Sequence, residues 1–225
     1  MKVLFFLFFI SSLPVKEKFI HVHPSYYHGG FKMKRGVSLI LVLVLMLMPC
    51  SYAWKTVTHY DAAEAIYEKL PSSKRSKINI NAMIDGSNDP DEKFHDTVRH
   101  SFPRSFTEAK KWLDRGRSAY RSKNYRYASY CFGVASHYIT DTFSAPHCVS
   151  GESSTLHNSY EKQATYLAPS ISYVSGDIYS LMQRGYLNGR SDWSRWTKTK
   201  SSSIVQRDLN MGTSVAYRAI NLAMN

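Results

Sequence analysis

The stretch Tyr125–Phe143 constrains the fold more than any other part of the chain. Its apolar and aromatic residues recur at helical spacing, at Tyr127, Tyr130, Cys131, Val134 and Tyr138, and predict one long helix ended by Ser144-Ala-Pro146. A helix buries such a stripe only against other elements. The flanking sequence supplies candidates. Thr58 or Asp61 can cap a helix over Ala62–Leu70, which Pro71 stops. Residues 71–104 carry clusters of Asn, Asp, Gly and Pro and read largely as loop. Ser105-Phe-Thr-Glu108 has the pattern of a capping box and opens a helix to about Arg121. Further helices are expected at His157–Leu167, at Ser170–Tyr186 with Gly176 inside it, and at Ser202–Met224. The last is amphipathic, with Val205, Leu209, Val215, Ala219 and Leu222 apolar. There is no clean strand alternation, no repeat and no low-complexity linker. The predicted class is all-α, a single compact multi-helix domain.

Composition adds exclusions. The 225 residues are 44% apolar, enough for a packed core, which excludes wholesale disorder. Three Cys are too few for a disulfide scaffold, and no CxxC pair suggests a zinc ribbon. A net charge of +12 invites a nucleic-acid or anionic-membrane partner, but the charges are unevenly placed. Residues 1–53 read as a leader. Lys34 and Arg35 precede the apolar run Val37–Met48, and Ser51-Tyr52-Ala53 offers a small-x-small cleavage site. Met33 is a plausible true start, with residues 1–32 an overcalled extension; the rival reading makes Met1–Ile10 a first apolar anchor. Pro49 precedes Cys50 where lipidation wants a small residue. Cleavage after Ala53 leaves a domain of residues 54–225, destined for secretion. The leader carries 6 Lys+Arg and 1 acid, so 23 basic residues face 16 acidic ones in the remainder, or +7. Cys131 and Cys148 remain, and an exported protein can pair them.

The remaining histidines carry the chemistry. His137 and Asp141 are four apart in the long helix and share a face. His147 follows just past Pro146, and His157 and Glu161 repeat the four-residue spacing. Upstream, His100 closes a loop containing Asp85, Asp89 and Asp91. One such pair is usually a solvated face. Two helices repeating it, with five of the six histidines after residue 53 involved, suit Zn²⁺, which takes N and O ligands. His95 is left over for the surface or a supporting role. If cleavage follows Ala53, the free amine and carbonyl of Trp54 can chelate a metal, with His59 five residues on.

These residues resemble a known family. Trp54-x4-His59, Asp91, His100, His137-Tyr-Ile-Thr-Asp141-x4-Pro146-His147 and His157-x2-Tyr160-Glu161 look like the zinc-dependent phospholipase C family and its relatives, the single-strand-specific zinc nucleases. The likeness covers about residues 54–165. It implies an all-α fold holding up to three zinc ions. His100, His137 and Asp141 would hold one, with Asp91 beside it as ligand and possible general base. His147, His157 and Glu161 would hold the second, and Trp54 and His59 the third, with Asp141 bridging. Tyr160-Glu161 resembles the phospholipase branch, where nucleases have Trp-Asp; the short Trp54–His59 spacing is more nuclease-like.

The resemblance implies a zinc-dependent phosphoric diester hydrolase in which metal-activated hydroxide releases a phospholipid headgroup. The expected partners are a phospholipid or other phosphodiester and, transiently, a membrane surface, with the protein a monomer. Tyr173, Tyr179, Tyr186, Trp193 and Trp196 are either core or a lipid-facing rim. Two alternatives stand. One is an extracellular single-strand-specific nuclease, with Lys198, Lys200 and Arg207 tracking phosphates. The other is a non-catalytic, zinc-stabilised module that binds membrane or phosphate.

Overall fold

A computed structural model describes residues 54–225, so the expected leader and cleavage site lie outside the described residues. The described chain forms eight α-helices and one short 3-10 helix, with no strand. They are α1 (Thr56–Lys69), α2 (Ser72–Arg75), α3 (Ile80–Glu92), α4 (Arg104–Arg121), α5 (Tyr125–Asp141), the 3-10 turn Ala145–Cys148, α6 (Ser154–Ala164), α7 (Ile178–Thr199) and α8 (Ser202–Ala223).

Helix α5 is the axis. Every residue from Cys131 to Pro146 is buried, because α1, α3, α4 and α8 all pack against this helix. Asn124 caps it, accepting from Tyr127 N at 3.3 Å. Its buried hydroxyls bond within the helix: Ser136 Oγ donates to Gly133 O at 2.7 Å and Thr140 Oγ1 to Ser136 O at 3.0 Å. His137 and Asp141 make no such bond to the helix backbone; they face each other and groups from other elements. The main core runs from Ile66 on α1 through Phe132 and Ile139 to Ile220 on α8. A second cluster gathers Trp54, Tyr160, Trp196 and Leu209.

Several expectations are corrected. Helix α1 starts at Thr56, so Thr58 and Asp61 lie inside it and neither caps it. The region 71–104 is not largely loop. Asn79 caps α3, accepting from Ala82 N at 2.8 Å, and the helix continues through Pro90. Its Gly86 is used for contact rather than for a turn. A Cβ there would stand 2.2 Å from Tyr130 O on α5, and one on Gly133 would stand 2.0 Å from Met83 O on α3. The two helices touch backbone to backbone, and this tertiary contact outweighs a turn-like composition.

Ser105 and Glu108 form no capping box. Pro103 occupies the cap position, Ser105 Oγ pairs with Thr142 Oγ1 at 2.7 Å, and Glu108 accepts from Lys111 at 2.9 Å. The helix expected at Ser170–Tyr186 begins only at Ile178. Gly176 takes φ 116, Asp177 caps the new helix by accepting from Ser180 N at 2.9 Å, and it runs on to Thr199. The preceding residues form a strap tied to α8, with Ser170 N on Asn210 Oδ1 at 2.8 Å and Ser172 N on Ser214 Oγ at 3.0 Å. Cys131 and Cys148 are both free and buried. Trp196 is fully buried core, whereas Tyr173 is 89% exposed on the strap.

Candidate metal centre

Six segments deliver the eight candidate side chains to the interior. Helix α5 presents His137 and Asp141 one turn apart. Helix α1 brings His59, the last turn of α3 brings Asp91, and the loop before α4 brings His100. The 3-10 turn brings His147, and α6 presents His157 and Glu161. They form three groups in which nitrogen and carboxylate oxygen atoms lie within 4.8 Å of one another: His59, His137 and Asp141; Asp91, His100 and His137; and His147, His157 and Glu161. The first two share His137. The third adjoins them, since the His100 and His147 rings lie 5.8 Å apart.

Asp141 sits between three imidazoles. Its Oδ2 is 2.5 Å from His100 Nδ1 and 3.2 Å from His137 Nε2, and its Oδ1 is 3.4 Å from His59 Nε2. Asp91 Oδ1 lies 3.6 Å from His137 Nε2 and 3.7 Å from His100 Nε2. Glu161 Oε1 lies 2.8 Å from His157 Nε2 and 3.4 Å from His147 Nε2.

The opposite ring nitrogens are tied back into the protein. His137 Nδ1 faces Ser87 O at 2.8 Å, His157 Nδ1 faces Glu152 Oε1 at 3.1 Å, and His100 Nε2 faces the Asp96 carbonyl. His59 Nδ1 faces Thr140 Oγ1 at 3.5 Å. Such partners fix ring orientation and leave the other nitrogen for a ligand.

Within the set, the charges answer one another. Burial and the neighbouring His137 hold the His59 imidazole well below its ordinary range. Burial would lower His100 too, but the hydrogen bond and charge of Asp141 prevail and lift it to about 9. Burial raises the Asp91 carboxyl, with His137 partly offsetting it. Asp141 is held well below the usual carboxylate range, because His137 and His59 outweigh its burial.

Four buried atoms of the set have no hydrogen-bond partner: His59 Nε2, Asp141 Oδ1, His147 Nε2 and Glu161 Oε2. Leaving such atoms unpaired in the interior is costly. Lone pairs from imidazole and carboxylate converging at short range are what Zn²⁺ takes, so the donor set fits that ion.

The structure thus brings together His59, Asp91, His100, His137, Asp141, His147, His157 and Glu161. Among the three acids near His100, Asp91 is the one that faces the imidazoles. Asp89 instead takes Tyr130 Oη at 2.8 Å and Lys93 Nζ at 2.9 Å, and Asp85 lines a separate surface pocket. His95 is exposed. The Trp54 side chain is not in the set. It is a buried aromatic whose Nε1 donates to Thr140 O at 3.3 Å, beside Asp141. The supporting Glu152 and the carbonyls of Ser87 and Asp96 carried no sequence signal, because they obey no helical spacing.

No described helix is long and apolar enough to cross a membrane. No curated protein matches the chain. A family model for zinc-dependent phospholipase C matches residues 58–210, well over half the chain and a span that includes all eight clustered side chains. The chain therefore belongs to the zinc-dependent phospholipase C family, a family of hydrolases.

Proposed function

We propose that the protein is a secreted phospholipase C that hydrolyses the phosphodiester between a lipid backbone and its phosphorylated headgroup. The observation that carries this reading is the joining of three imidazole–carboxylate groups into one buried centre, in a chain of this family. His59, His137 and Asp141, then Asp91 and His100, then His147, His157 and Glu161 are the residues that would hold zinc. Trp54 would add its main-chain amine and carbonyl if the leader is removed after Ala53. Bound zinc would lower the pKa of a water toward about 7 and neutralise charge on the phosphoryl oxygens.

The chain's own contribution is position and proton handling. Ser87, Asp96, Thr140 and Glu152 lock four imidazoles in place, so little reorganisation is left for the reaction. Asp91 is the proton acceptor. It is buried, its carboxyl is raised by that burial, and it stands beside two of the groups, where it can orient an attacking water and take its proton. The exposed Tyr166 and Tyr173, between α6 and α7, are suited to brief contact with a lipid surface.

The nuclease alternative has less support. Arg207, one of its phosphate-tracking residues, is engaged by Asp192 at 2.5 Å, and Lys200 stacks over Trp196 at 4.0 Å. The deciding assay incubates the purified protein with phosphatidylcholine vesicles and, separately, with single-stranded DNA, each with and without chelator. Zinc-dependent release of phosphorylated headgroup is the expected result. Nucleotide release would favour the nuclease. Bound zinc with no turnover would leave a binding module.

A further inference from the structure

The buried side-chain atoms without a hydrogen-bond partner are not scattered. Among the described residues they are Thr58 Oγ1, His59 Nε2, both amide atoms of Asn88, Asp141 Oδ1, Ser144 Oγ, His147 Nε2 and Glu161 Oε2. Each belongs to a candidate ligand or stands within three residues of one. The ligand atoms are explained by the metal they fit. Asn88 is not a member of that set, yet it is the one residue with two such atoms, and it is only 2% exposed.

Its placement is specific. Asn88 precedes Asp91 by three residues in α3, one turn away on the same side of the helix. Its neighbour Ser87 offers the carbonyl that holds His137 Nδ1 at 2.8 Å. Helix α3 packs on α1, which carries Thr58 and His59. A γ-branched apolar residue would fill this position without leaving an amide unsatisfied, so packing alone does not account for asparagine.

The chemistry of the centre is short of one thing that an amide supplies. Its carboxylates only accept hydrogen bonds when ionised. The imidazoles of His59, His100, His137 and His157 each direct one nitrogen to a protein acceptor and would give the other to metal. A phosphodiester brings two non-bridging oxygens that need donors. We propose that Asn88 is a substrate-contacting residue whose Nδ2–H donates to a non-bridging phosphoryl oxygen held beside Asp91. This rests on reading the centre as a phosphodiesterase. An aligned donor in a site closed to water acts most strongly where charge builds up in the transition state.

The test compares wild type with Asn88→Leu, Asn88→Ala and Asn88→Asp in the full protein. The readouts are zinc content, the melting temperature of the zinc-free form, kcat/KM on phospholipid vesicles, and calorimetric binding of inorganic phosphate to the zinc-loaded form. Zinc content should be unchanged. Asn88→Leu should melt about 4 °C higher without metal, since an unpaired amide is gone. It should also lose about 100-fold in kcat/KM and most of the phosphate affinity. Asn88→Ala, which cannot overpack, should lose activity alike. Asn88→Asp removes the donor and should be equally impaired.

Phosphate affinity and kcat/KM within twofold of wild type in Asn88→Leu would overturn the proposal and leave Asn88 a packing residue. A fully active Asn88→Asp would overturn the donor role. If the wild type cleaves no phosphodiester, the functional reading fails by itself, and phosphate binding still judges Asn88.

Discussion

Asp91 and Glu152 show how differently two carboxylates can serve one centre. Asp91 lies against the imidazoles of His137 and His100 at 3.6 and 3.7 Å without hydrogen-bonding to either. Burial lifts its affinity for a proton. That placement suits transient proton transfer better than permanent pairing. Asp91→Asn keeps the shape and one acceptor oxygen but removes the base, so kcat should fall about 100-fold or more, while zinc content stays near wild type; atomic emission alongside the kinetics checks both. Glu152 instead holds His157 Nδ1 at 3.1 Å. The hydrogen bond of Glu161 and that of Glu152 together outweigh burial and raise the His157 imidazole. Glu152→Ala should weaken zinc binding about 10–100-fold, by loosening the ring rather than deleting a ligand. A competition titration against a chromogenic chelator measures this, and unchanged affinity would show that α6 alone fixes the ring.

At the scale of elements, the centre depends on two glycines that bring α3 and α5 into contact. The carbonyl of Ser87 and the carboxylate of Asp91 both ride on α3, and their partner His137 rides on α5. A methyl group at Gly133 would meet Met83 O at 2.0 Å and Ser87 N at 2.9 Å, atoms of a backbone that cannot rotate aside. Gly133→Ala should therefore cost about 3 kcal/mol of stability and lower zinc occupancy, because α3 must shift to accommodate it. Urea denaturation and metal analysis test the two effects together. This contact also explains what the sequence could and could not reveal. The spacing of His137 with Asp141 and of His157 with Glu161 marks two helix faces directly, since four residues make one turn. Helix α3 stayed hidden because Gly86-Ser-Asn-Asp-Pro90 has the composition of a turn. Its helical state comes from burial against α5, which local propensity does not record. The strap before α7 departs from the helix its sequence predicts for the converse reason. Residues Ile171 and Val174 are apolar because they cover the core, not because they belong to a helix.

At the scale of the molecule, buried charge among the described residues is not confined to the proposed metal centre: Asp89, Asp96 and Glu108 are buried as well, and Asp192 and Asp208 build a further network. That network joins three helices. Asp192 on α7 receives Arg207 at 2.5 Å and also Arg195, and Asp208 on α8 accepts from Tyr160 Oη of α6 at 2.6 Å. A cavity of about 540 Å³ opens beside this network. Burial and the nearby Asp192 push the Asp208 carboxyl up to about 7, despite the hydrogen bond from Tyr160. Against an ordinary value of 3.8, the folded state thus holds a proton that the unfolded chain has released. Between pH 3.8 and 7 the native form binds more protons, so this residue's contribution to stability is present in acid and lost as pH rises through about 7. Asp208→Asn should remove that dependence. Its amide oxygen can still accept from Tyr160, and Asp192 remains to hold Arg207. The variant should equal wild type near pH 4 and exceed it at pH 8 by a few kcal/mol in chemical denaturation. The metal centre is common to both chains, so its own pH dependence cancels in the difference. A gap of the same size at both pH values would show that Asp208 is ionised throughout and that the network is an ordinary set of ion pairs.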